Sequence, residues 1–262
     1  MGIKKLPDNE EPLSPSNAHY YDESQEGLAL YVPLYFAALK GDCKSAREFL
    51  AIYPEAVGQK ITRNGETAVH IAAGAKHTYF VKDLVENLMT PQQLAIQNKF
   101  GNPALCFAAA SDLFDFAMEI LDQNPQAATA RDGNGEMALH ILARKPGSFY
   151  SVPYVRYIHD QKLMHLQVLK LVKKLWTEIV LLDNSSISDL IAKPTRLLFT
   201  AAGLGIIEFL VVLIRLYPDL LWKVGERRRS IFHVAVENRQ ENGLKLHLHI
   251  NFKRNPHLSK SL

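Results

Sequence analysis

Asn64-Gly65-Glu66-Thr67-Ala68-Val69-His70-Ile71-Ala72-Ala73 is the stretch on which the reading of this chain turns. A glycine suited to a tight turn precedes a threonine able to cap a helix, and a short alanine-rich run follows that favours helix and close packing. The run recurs. Its other copies are Pro33-Leu34-Tyr35-Phe36-Ala37-Ala38, Ala104-Leu105-Cys106-Phe107-Ala108-Ala109, Ala138-Leu139-His140-Ile141-Leu142-Ala143, Leu197-Leu198-Phe199-Thr200-Ala201-Ala202 and Ile231-Phe232-His233-Val234-Ala235-Val236. Their third residues stand at 35, 70, 106, 140, 199 and 233, separated by 35, 36, 34, 59 and 34 residues. Such a period marks one supersecondary unit stacked on copies of itself, because a single helical hairpin cannot bury its own apolar face.

Two further marks keep the same register. Nineteen residues after the third position come Pro54, Pro125 and Pro218, preceded by Tyr53, Asn124 and Tyr217. Six residues after it come Gly41 and Gly205, where a turn between two short helices favours left-handed backbone. Gly65, Gly101 and Gly135 suit β-turns between successive units. Thr67 and Ser230 can cap helices, and Pro33 can occupy a first helical turn, where its missing N–H costs nothing.

These residues resemble the ankyrin repeat, whose signature is Gly-x-Thr-Pro-Leu-His-x-Ala-Ala; the stretch from Asn64 and Asn134-Gly135-Glu136-Met137-Ala138-Leu139-His140 are the nearest copies. The resemblance implies an all-α solenoid of helix-turn-helix units joined by β-turn loops. Repeats are expected near 31–62, 63–97, 98–131, 132–193, 194–226 and, incomplete, 227–240. More narrowly, Tyr53-Pro54-Glu55, Tyr217-Pro218-Asp219 and the Leu-Trp-Thr-Glu run at 175–178 resemble plant ankyrin proteins that carry a C-terminal PGG membrane domain. That likeness implies a stress or defence signalling protein with its repeats in the cytoplasm, here truncated before the membrane region. The expected location is cytoplasmic, with peripheral attachment at the plasma membrane as a possibility.

Composition is compatible with such a chain. Of 262 residues, 47% are hydrophobic and 22% charged, and the two cysteines, Cys43 and Cys106, cannot build a disulfide framework. A formal charge of +3 conceals a gradient. Residues 1–30 hold two lysines against six carboxylates, whereas residues 223–262 hold nine Lys and Arg against three. Residues 1–27 are expected to be a disordered acidic leader, 28–240 the repeat domain and 241–262 an irregular basic tail. In that tail Leu244 to Ile250 alternates with period two, as a strand does.

The 59-residue interval contains an insertion, expected at 144–162 as a loop because it carries Pro146, Gly147, Ser148 and Pro153. Leu163 to Leu182 then reads as a basic amphipathic helix. Its apolar spacing suits an inner core helix first, and a calmodulin target or an anionic membrane second. Residues 197–214 contain one charge, Glu208, and reach the minimum length of a membrane span. Gly203-Leu204-Gly205 interrupts them where the first repeat has its turn, which favours a buried helix pair.

No converging nucleophile, base and orienting group stands out, so the chain is expected not to be an enzyme and to use no cofactor or metal. Tyr35, His70, Cys106, His140, Phe199 and His233 share one structural repeat position. His247, His249 and His257 are too sparse for a convincing metal site, and Arg227-Arg228-Arg229 reads as a solvated patch without nucleic-acid binding. What remains is a protein-binding concave surface on a monomer. Its candidate contacts, from repeat position, are Arg63, Glu66, Lys99, Phe100, Asn102, Asp132, Asn134 and Glu136.

Overall fold

Each alanine-rich run becomes a short helix for a local reason. Thr67 is extended (φ −90°, ψ 170°) and ends the preceding turn; its N–H donates to His70 Nδ1 at 3.3 Å, and helix begins at Ala68. Met137 and Ser230 repeat this with His140 and His233, each N–H···Nδ1 at 3.3 Å. A free N-terminal amide is thereby satisfied by a side chain one turn into its own helix.

The computed structural model describes residues 23–149, 158–193, 196–225 and 228–240. Their regular structure is helical, and no strand occurs among them; the sole ladder pairings there are isolated bridges, Gln97 with Pro103 and Val224 with Ser230. After α1 (Glu23–Leu30) come α2 (Val32–Lys40) and α3 (Cys43–Ile52), then α4 (Ala68–Gly74), α5 (Thr78–Asn87) and α6 (Pro91–Leu94). The chain continues through α7 (Ala104–Ala110), α8 (Phe114–Gln123), α9 (Ala138–Leu142), α10 (Pro146–Phe149) and α11 (Ile158–Val180). It ends its described part with α12 (Asn184–Ala192), α13 (Leu197–Gly203), α14 (Ile207–Leu216) and α15 (Ile231–Glu237).

The short helices α2, α4, α7 and α9 pack successively on one another, as do α13 and α15. Behind them, α5 packs on α8, α8 on α11 and α11 on α14. The alanine pairs explain the close approach of the first row: Ala72, Ala73, Ala108, Ala109, Ala201 and Ala202 are wholly buried. Larger apolar groups fill the space between rows, with Phe80, Phe114, Phe116, Trp176 and Phe209 almost fully enclosed. Trp176 Nε1 donates to the Leu213 carbonyl at 3.0 Å, so its one polar atom is satisfied inside the core.

The prolines mark turns as expected: Pro54, Pro125 and Pro218 each open a single-turn 3₁₀ helix. The second and fourth units solve the same problem differently. There α6, capped by Thr90 and Gln93, and α12, capped by Asp183, occupy the corresponding place. Ser185 and Ser186 turn their hydroxyls onto the Asp183 cap.

The insertion differs from the loop expected over 144–162. It contains α10, and α11 begins at Ile158, five residues before the expected Leu163. One position supplies a physical reason. Six residues after the repeat's third position the backbone is left-handed at Gly41, Lys76, Asp112, Gly205 and Arg239, with φ between 55° and 71°. The fourth copy has Pro146 there, whose ring fixes φ near −65°. The turn cannot close, and the chain runs on into α10.

Residues 197–214 form α13 and most of α14, separated by a turn at Gly205, so the membrane-inserted alternative finds no continuous helix there. Among the described residues no helix is long and apolar enough to cross a membrane. Of the leader expected at 1–27, residues 1–22 lie outside the described residues, while 23–27 differ from the expected disorder by belonging to α1; the tail from 241 onward, including His247, His249, His257 and the alternating run at 244–250, also lies outside the described residues.

Candidate functional site

The turns between units are built alike. Thr62 Oγ1 accepts from the Glu66 amide at 3.0 Å; Asn98 Oδ1 accepts from the Phe100 and Asn102 amides at 3.0 and 2.9 Å; Asp132 Oδ1 accepts from the Asn134 and Glu136 amides, both at 2.8 Å. An oxygen-bearing side chain eight residues before the repeat's third position therefore folds these three tips, an Asx-type device; the turn before His233 has Gly225 there and closes by the Gly225 amide donating to the Arg229 carbonyl at 2.7 Å. Successive tips also touch. The Lys99 amide donates to the Asn64 carbonyl at 2.7 Å, and Gly133 lies so close beneath the Phe100 carbonyl that no side chain fits there.

This geometry sorts the expected contact residues. Arg63, Lys99, Phe100 and Asn134 are exposed at the tips, Phe100 by 59%, while Glu66 is half-buried with its carboxylate accepting from the Thr62 hydroxyl at 3.1 Å. Three others carry bonds inside the protein. Glu136 is 5% exposed and forms a two-pronged ion pair with Arg144, so its carboxylate is committed inside the protein. Asp132 is committed to its own turn, and the Asn102 carbonyl accepts from His70.

His70 carries this last link. Nδ1 accepts from the Thr67 amide, which fixes the tautomer with the proton on Nε2, and Nε2 donates to Asn102 at 3.1 Å in the next unit. Burial lowers its pKa to about 4, so it stays neutral and the bond has one sense near pH 7. Phe107 stands edge-on to the imidazole at 5.2 Å. Cys106, at the same repeat position, has its thiol pushed up to about 12 by burial, which withholds the thiolate a nucleophile needs. Tyr35 and Phe199 are half-buried there, and His233 is exposed.

A second set of links closes the carbonyl ends of the short helices. His77 Nε2 meets the Leu39 carbonyl at 2.9 Å, Lys145 Nζ donates to Ala109 and Ala110 at 3.2 and 2.6 Å, and Gln240 Nε2 donates to Gly203 at 3.0 Å. Each binds a unit to the one before it, and repeat spacing alone did not reveal them. Between the tips and these ends the short helices present Phe36, Ile71, Phe107, Ile141, Thr200 and Val234, one residue after the repeat's third position in every unit. Phe36 is 49% exposed, and the other five are half-buried.

The basic helix offers no such surface. Val168, Leu171, Val172, Leu175, Trp176 and Ile179 of α11 are fully enclosed against their neighbours, and Lys174 pairs with Asp122 of α8. The apolar face that a calmodulin-type partner would need is already inside the fold.

No family model and no curated protein matches the chain. Among solved structures it is similar to a chain in the structure described as the Bd0816 predatory endopeptidase from Bdellovibrio bacteriovorus in complex with immunity protein Bd3460. The TM-score is 0.55 at 20% identity, covering 82% of this chain and 96% of that one. The likeness is one of fold. It corrects the expectation of a non-enzyme: this helical architecture is shared with a structure described as an endopeptidase complex and gives no ground for excluding enzymatic activity.

Proposed function

We propose that residues 28–240 form an ankyrin-type solenoid that binds a protein partner on the face made by its turn tips and short helices. The observation that carries this reading is the half-exposed row Phe36, Ile71, Phe107, Ile141, Thr200 and Val234, running through every unit beside the exposed Arg63, Lys99, Phe100 and Asn134. A row of side chains, apolar in five of its six places and left partly open along short helices bordered by polar tips, has the make-up of a protein-binding surface. The structure of similar fold is described as a protein–protein complex, which supports the same reading. The resemblance to plant ankyrin proteins extends the proposal to stress or defence signalling.

Site-specific photocrosslinking tests it. A crosslinker in place of Phe107 should capture the same protein from native cells as one in place of Phe100, and one in place of the exposed Ile52 on α3 should not. Equal capture of that protein from all three positions would remove the proposal.

A further inference from the structure

The helices of the back row meet their successors in a fixed register. Arg47 of α3, twelve residues after the repeat's third position, donates from Nε to Asp83 of α5 at 2.8 Å. Asp115 and Asp122 of α8, nine and sixteen residues after it, accept from Gln167 and Lys174 of α11. Nine, twelve and sixteen are three and four apart, so these places share one side of a helix, the side turned to the next unit. In α14 that side carries Ile207, Glu208, Val211 and Arg215. An apolar centre is thus flanked by two exposed charges.

The sixth unit is described only as far as its short helix α15 and Gln240, so no described back-row helix stands in front of α14. Ile207 and Val211 are nevertheless only 6% and 7% exposed. At the same end of the front row Val236 of α15 is 61% exposed. One row is covered there and the other is open.

The chain is led to the covered place. Gln240 Nε2 donates to the Gly203 carbonyl at 3.0 Å, and the same side chain lies against Gly205, two residues before α14 begins. Gln240 therefore stands at the N-terminal end of α14. Soon after it come Leu244, Leu246, Leu248, Ile250 and Phe252, with Lys245, His247, His249 and Asn251 between them. Extended backbone sets alternate side chains on opposite faces, which gathers the five apolar groups on one side. Nine extended residues reach about 30 Å, against about 15 Å for a ten-residue helix such as α14.

We propose that residues 244–252 of this chain lie extended along α14, their apolar side seated on Ile207 and Val211 in place of a sixth back-row helix. Lys245, His247, His249 and Asn251 face water. The tail is then a strap that closes the back row while leaving α15 open, and burial of apolar surface on both partners holds it there.

Amide exchange on the full chain, followed by mass spectrometry, tests this. Leu246→Asp with Leu248→Asp sets two carboxylates against the apolar seat and should speed exchange across α14 by at least about tenfold. Unchanged rates in α7 and α8 verify that the fold survives. His247→Asp with His249→Asp adds two carboxylates on the opposite side and should alter α14 by less than about twofold. Equal acceleration by the two pairs, or none by the leucine pair, overturns the inference. A photocrosslinker in place of the exposed Glu208 should join to residues 244–252 of the same molecule. A crosslink to a second copy that rises with protein concentration, or none to the tail, overturns it as well.

Discussion

His70 shows how much a single side chain does when repeat geometry surrounds it. Neutral and buried, it links its own helix start to the turn of the next unit. Its folded pKa of about 4 lies below the ordinary 6.5, so the unfolded chain takes up a proton first as pH falls. The linkage is therefore destabilising: stability is lost from about pH 6.5 downward and the loss levels off near pH 4, at about 3 kcal/mol. Urea unfolding at pH 7 and pH 5 should show about 2 kcal/mol more loss in the native chain than in His70→Gln, whose side chain does not titrate. Lys76 makes the opposite point. It holds φ 62° where the first and fifth units have glycine, a conformation that costs an L-residue about 1–2 kcal/mol. Its ion pair with Asp112 is a loose 3.9 Å. Lys76→Gly should therefore stabilise the chain by about 0.5–1 kcal/mol after the entropy of glycine is subtracted, readable as a higher melting temperature. The repeat position of His70 is plain in the sequence. Its partner Asn102 is not, since 32 residues separate them and only stacking brings them together.

At the scale of elements, α11 is where local reading and packing part company. Its apolar spacing and lysines suit either an inner helix or a free amphipathic one, and sequence leaves both open. Burial decides, because α8 and α14 grip it from two sides and Trp176 is enclosed with its N–H bonded. Trp176→Ala should cost about 3–5 kcal/mol in urea unfolding, through lost contacts and the cavity left behind. A loss below about 1 kcal/mol would mean that α11 is not held in the core as described. The 144–162 insertion is a different case. Its cause was on view as Pro146 at the left-handed position, but reading that cause requires knowing that five other copies take φ near 60° there. Two glycines alone hinted at it; lysine, aspartate and arginine hid it in the rest.

In a solenoid of the kind proposed, stability is a sum of units and of the interfaces between neighbours, so a unit with fewer interfaces opens more readily. α15 packs on α13, yet Val236, in the place of the wholly buried Ala73 and Ala109, is 61% exposed. Amide exchange followed by mass spectrometry should be fastest in α15 and slowest in α7 and α8, and protection in α15 equal to that of α7 would contradict this ordering. The sequence by itself determined the period, the helix starts after Thr67 and Ser230 and the turns at Gly41 and Gly205, because caps and turn residues act over a few neighbouring residues and repeat wherever the local chemistry repeats. Tertiary structure alone decided which of these residues remain open to a partner. Glu136, Asp132 and Arg63 all belong to turns in one register, but the first is sealed by Arg144, the second is spent on its own backbone, and the third faces a cleft. That difference arises from what packs beside each turn, and neighbours in a stacked fold come from residues more than thirty positions away.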